Sequence, residues 1–135
     1  MIQRVSHSAV FVIDQDSAYD FYVNKLGFEV RMDAKMDNGF RWLTVSPKGQ
    51  PDHEVILMGL AAGMAFDQPT VETLAKLIRE GKMVVGAFAT DDCRKTFAEL
   101  KAKGVAFPKE PTDEFYGIEA LLQDDSGNLW SMTQR

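Results

Sequence analysis

A shift of 77 positions lays the sequence back on itself: Asp14 falls on Asp91, Phe11 on Phe88 and Gly27 on Gly104. An internal repeat constrains the fold more than any local signal, because each copy must be a supersecondary unit of its own. In the first copy, Ile2 to Ile13 is rich in Val, Phe and Ile and reads as a strand. Asp16 offers an N-cap oxygen, Ser17 and Asp20 add a capping-box-like pair, and Ala18, Phe21, Tyr22 and Leu26 recur at helical spacing before Gly27. Phe28 to Met32 reads as a strand, Asn38-Gly39 as a tight turn, Phe40 to Val45 and Glu54 to Met58 as two further strands. The second copy repeats the order. Met83 to Thr90 is a strand, Asp91-Asp92 caps a helix with Cys93, Phe97 and Leu100 on one face, and Gly104 stops it. Short strands follow near Val105 to Phe107, Gly117 to Gln123 and Leu129 to Thr133, broken by Pro108, Pro111 and the Asp125-to-Asn128 turn. Between the copies, Gly59 to Gln68 reads as a connector and Thr70 to Glu80 as a short helix.

The reading is therefore one α+β domain over residues 1–135: module one about 1–60, connector and short helix about 61–81, module two about 82–135. A chain of 135 residues with 45% apolar and 26% charged side chains can bury a core without staples, which excludes disordered and fibrous classes. The net charge of −5 carries no nucleic-acid footprint. The longest apolar run, Val55 to Phe66, is too short to span a membrane. A single cysteine, Cys93, and an N-terminus without a signal-peptide pattern fit a cytoplasmic protein. The chain carries no phosphate-binding glycine loop, CxxC or nucleophile elbow.

The stretch from His7 to Val30 resembles the opening of the vicinal oxygen chelate superfamily, which holds glyoxalase I, extradiol dioxygenases and bleomycin-resistance proteins. The helix from Asp92 to Gly104 and the ending from Tyr116 to Trp130, with its Asp-rich turn and Gly-Asn, are similar to the same group. The resemblance implies two βαβββ modules, a cupped eight-stranded mixed sheet with helices on its outer face, and a ligand cavity. It also implies, for the metal-using members, one ligand from the first and last strand of each module. Those positions hold His7, Val84 (or Val85), a residue near Leu57, and Ser131. Valine and leucine offer no lone pair and serine is a poor ligand, whereas a stable site needs at least three protein donors. The expectation is no metal and no cofactor, a divalent ion entering only if an enzyme reading holds.

Strand alternation gives the cavity lining. With His7 inward, Ala9, Phe11 and Ile13 follow it, and Val55, Leu57, Phe88, Leu129 and Ser131 are expected beside them. Glu54 has the opposite parity to Leu57 and is expected to face away. In the hairpin, either Phe40 and Trp42 or Arg41 and Leu43 face in. Glu119 shares a strand face with Leu121, and Tyr116 is placed to contact a ligand from the loop above. The ligand-binding candidates are thus His7, Phe11, Trp42, Leu57, Phe88, Tyr116, Glu119 and Ser131, with His7 also the candidate general base. A lining this apolar suits a small apolar or aromatic molecule. The first functional reading is a metal-independent binding protein; the alternative is a metal-dependent or His7-assisted lyase or dioxygenase. A third reading is an interaction domain with a vestigial cavity. A homodimer is compatible with the resemblance and not required by it.

Overall fold

A computed structural model describes residues 1–63 and 65–135; Met64, inside the expected connector, lies outside the described residues. The elements run β1 (His7–Val12), α1 (Gln15–Tyr19, continued by a π-helical segment Asp20–Lys25), β2 (Glu29–Lys35), β3 (Arg41–Ser46) and β4 (Glu54–Gly59). After α2 (Gln68–Arg79) come β5 (Val84–Ala89), α3 (Cys93–Ala102), β6 (Ala106–Glu114), β7 (Gly117–Gln123) and β8 (Leu129–Gln134). The class is α+β. Hydrogen bonds group the eight expected strands into two mixed sheets of four, ordered β1-β4-β3-β2 and β5-β8-β7-β6. In each, the first strand pairs parallel with the last and the other neighbours are antiparallel. The chain divides into two compact units, Met1–Gln68 and Pro69–Arg135. Among the described residues no helix is long and apolar enough to cross a membrane.

In the first unit α1 is capped by Asp14, not Asp16: the Asp14 carboxylate accepts from the Ser17 N–H at 2.9 Å. Asp16 turns outward and meets Arg41 Nη1 at 2.6 Å instead. Ala18, Phe21 and Tyr22 are buried against a sheet face made of Val10, Val12, Leu43, Val45, Val55 and Leu57. Each of the valine, leucine and phenylalanine side chains among them contributes about 1.5–3 kcal/mol by leaving water. Gly27, at φ +77°, supplies the left-handed stop.

The second unit repeats this with Asp92 as cap, accepting from the Lys95 N–H at 3.0 Å. The capping residue is thus one place beyond Asp91, which the 77-residue shift had aligned with Asp14. The segment from Asp14 to Gly27 holds one residue more than that from Asp92 to Gly104, and the π-helical turn absorbs it. Cys93, Leu100, Ala120, Leu122, Trp130 and Met132 form the core of this unit. Burial pushes the Cys93 thiol up from its ordinary pKa, as expected of a packed, unreactive cysteine.

One expectation was too cautious. Pro108 and Pro111 do not end the strand after α3; β6 runs through both. It is an outer strand of its sheet, where proline is tolerated, and its register with β7 shifts at both prolines, between Ala106 and Lys109 and between Lys109 and Thr112.

Candidate functional site

Directly paired residues on neighbouring strands point to the same side of a sheet. In the first unit His7 pairs with Glu54, Ala9 with Ile56 and Phe11 with Met58, so these six share the face away from α1. Thr44 pairs with Ile56 and joins them. The hairpin ambiguity resolves in favour of Trp42: Leu43 is fully buried on the helix side, while the Trp42 ring lies 6.1 Å from His7 and 6.4 Å from Phe40. Phe11 meets Phe66 edge-on at 5.4 Å. Half-exposed rings therefore line this face.

Two parity expectations are corrected here. Leu57 is 0% exposed and packs on the helix side with Val55, so it does not line the open face. Glu54, expected to face away, is on the open face. Its Oε2 lies 3.2 Å from His7 Nε2, and its Oε1 accepts from Thr44 Oγ at 2.6 Å. His7 Nδ1 meets Ser6 Oγ at 2.9 Å. Ser6, His7, Glu54 and Thr44 thus form one polar chain, hydrogen-bonded at its two ends and joined in the middle by the His7–Glu54 contact, that ends on a fully buried hydroxyl.

In the second unit Glu119 pairs with Thr133, and Ser131 with Leu121, on the face away from α3. Glu119 Oε1 accepts from Tyr116 OH at 2.7 Å and Lys109 Nζ at 2.9 Å; Oε2 accepts from Ser131 Oγ at 2.7 Å. Three of the expected site residues, Tyr116, Glu119 and Ser131, therefore meet. These donors, Tyr116 first, hold the Glu119 carboxyl down at about 2. The carboxylate beside it pushes the Tyr116 phenol up, and Glu114 and Glu119 together raise Lys109. A carboxylate held this firmly ionised is a poor proton shuttle near neutrality.

Phe88 is not part of that face. It pairs with Met132 and stacks on Trp130 at 4.1 Å, on the helix side. The register of β5 shifts between Val84 and Gly86, and that irregularity reverses the alternation on which Phe88 was placed. Lys109 went unnoticed in the sequence because it stands between two prolines in a stretch read as loop. Glu54 was missed because Glu54 to Met58 is apolar at every position after the first, leaving alternation no contrast to work on. Among the described residues no group of three or more His, Cys, Asp or Glu side chains is placed to hold a metal ion.

This βαβββ pair agrees with known proteins. The sequence profile of the Glyoxalase/Bleomycin resistance protein/Dioxygenase superfamily matches residues 4–132. The chain belongs to that superfamily. Within the superfamily it is similar to the uncharacterized protein YurT of Bacillus subtilis (strain 168), 35% identical over 133 residues, which are 98% of this chain and 99% of YurT. The crystal structure of UcmS2 matches with a TM-score of 0.94 at 40% identity, covering 100% of both chains. TnmS3, an antibiotic binding protein from Streptomyces sp. CB03234, matches with a TM-score of 0.76 at 31% identity, over 98% of this chain and 96% of its own. Superfamily membership carries the fold and leaves the chemistry to the site.

Proposed function

We propose that this superfamily member binds a small apolar or aromatic molecule against the open face of its first sheet, through His7, Trp42 and Phe11, without a resident divalent ion. The carrying observation is the row of half-exposed rings beside one small polar cluster, the close contact of His7 with Glu54. Apolar walls with few polar points are what a small-molecule site presents. The antibiotic-binding relative TnmS3 supports the reading. Tyr116, Glu119 and Ser131 are the polar contacts proposed for the second unit. His7 and Glu54 make two donors, one more than the sequence suggested and still fewer than the three a stable metal site asks for.

A second reading has one observation in its favour: an imidazole held by a carboxylate is the arrangement of a general base. It makes the chain a His7-assisted or metal-dependent lyase or dioxygenase.

Elemental analysis of protein purified without chelator and incubated with nickel, zinc, manganese and ferrous iron is expected to find far less than one ion per chain. Near one ion per chain, lost in His7→Ala, replaces the binding reading with the enzyme. A thermal-shift screen of planar aromatic compounds is expected to raise the melting midpoint, because a ligand that binds only the native state stabilises it, and Trp42→Ala is expected to reduce that rise. No rise with any of them defeats the proposal.

A further inference from the structure

We infer that the ligand of the first unit presents a hydroxyl group to His7 Nδ1, and that Glu54 is the positioning residue that makes this nitrogen an acceptor. The inference rests on the binding proposal for this face and goes on to name the ligand class: an aromatic ring bearing a hydroxyl donor.

As a carboxylate, Glu54 can only accept hydrogen bonds. Its Oε1 already accepts from Thr44 Oγ at 2.6 Å, and its Oε2 faces His7 Nε2 at 3.2 Å. A carboxylate oxygen facing this nitrogen favours the tautomer with the ring proton on Nε2, because a bare nitrogen lone pair there would be repelled. In the neutral imidazole the other nitrogen, Nδ1, is then the acceptor. Its present partner is Ser6 Oγ at 2.9 Å, so a hydroxyl donor already occupies the place. Ser6 precedes β1 and is exposed, and a ligand hydroxyl can displace it. The Trp42 ring, 6.1 Å from His7, provides the flat surface on which the ring carrying that hydroxyl rests. Thr44 is 0% exposed, and its hydroxyl serves to fix the carboxylate that fixes the imidazole. An orienting chain of this kind selects between donor and acceptor ligands, because the wrong partner leaves a polar atom facing a like atom.

The test is calorimetric titration of the full chain with two probes of similar shape, 2-naphthol, which offers a hydroxyl donor, and 2-acetylnaphthalene, which offers only an acceptor. The native protein is expected to bind 2-naphthol about tenfold tighter. In Glu54→Gln, Thr44 keeps the amide oxygen and turns the amide N–H toward His7 Nε2, so the ring proton moves to Nδ1 and the preference reverses. Ser6→Ala, in an exposed segment where folding is not at stake, removes the competing hydroxyl and is expected to tighten 2-naphthol alone. An unchanged preference in Glu54→Gln, or a weaker 2-naphthol in Ser6→Ala, overturns the inference. If Trp42→Ala weakens both probes equally while Glu54→Gln leaves their ratio intact, the binding proposal stands and this inference fails. If neither probe binds while other planar aromatics raise the melting midpoint, this inference alone falls; if none of them does, both fall.

Discussion

In the first unit, the sheet face away from the helix carries rings and one hydrogen-bonded imidazole; in the second, it carries Glu119 and its donors Tyr116, Lys109 and Ser131. The second unit keeps its stacked aromatic pair, Phe88 on Trp130, on the helix side. The strand order is the same in both units. Among the differences are the places where the regular pattern is broken: a π-helical turn in α1 and one register shift in β2 of the first unit, against register shifts in β5 and β6 of the second. An insertion within a strand exchanges its two faces downstream, so two copies of one motif can end with different chemistry on equivalent surfaces.

The largest expected contrast lies between two glycines. A Cβ on Gly127, at φ +119°, would stand 2.1 Å from the Ile78 carbonyl oxygen, whereas one on Gly27 meets nothing within 4 Å. Gly127→Ala is expected to cost about 5 kcal/mol and Gly27→Ala about 1, read from urea unfolding; similar losses would show that the turn before β8 yields more than its packing suggests. Next come the two tryptophans. Trp130→Ala, in the core, is expected to cost about 4 kcal/mol of stability, and Trp42→Ala about 1 while removing most aromatic binding. Equal stability losses would make Trp42 a core residue and erase the distinction between the faces.

The ionic face of the second unit has its own signature. Glu119→Gln is expected to lose about 2 kcal/mol near neutral pH, the worth of hydrogen bonds to a charged group. The Glu119 carboxyl is depressed from its ordinary 4.5 to about 2, so its contribution is complete above the higher value and lost as pH falls through the lower. The gap between native and variant melting midpoints should therefore close between pH 4.5 and 2; a gap that stays constant would trace the effect to packing instead. The smallest effect should be shared. Asp14→Ala and Asp92→Ala each remove one cap and should cost about 1 kcal/mol, equally in the two units.

Legibility in the sequence followed the same division. Turn and stop signals held where one residue type determines a backbone angle, as Gly27, Gly39 and Gly104 do at positive φ. Face assignments agree with the structure for Glu119 and Ser131, on strands where polar and apolar residues alternate, and Tyr116 reaches them from the turn before β7. They failed at Leu57, in a strand without contrast, and at Phe88, beyond a register shift that no composition reveals. The cap was misread by two residues because Asp14 and Asp16 are equally good cap formers, and only the partner Arg41 tells them apart. Glu54 needed strand pairing to be seen, since its role depends on His7 lying opposite it.

The two prolines in β6 bear on behaviour in a crowded solution. An outer strand normally offers a row of backbone donors and acceptors to any passing chain. Pro108 and Pro111 remove donors from that row, and the two register shifts at those prolines break the regular spacing an incoming strand would need. The β6 border of the second sheet is thus a poor template for recruiting another polypeptide, and strand-to-strand association of copies along that border should be suppressed.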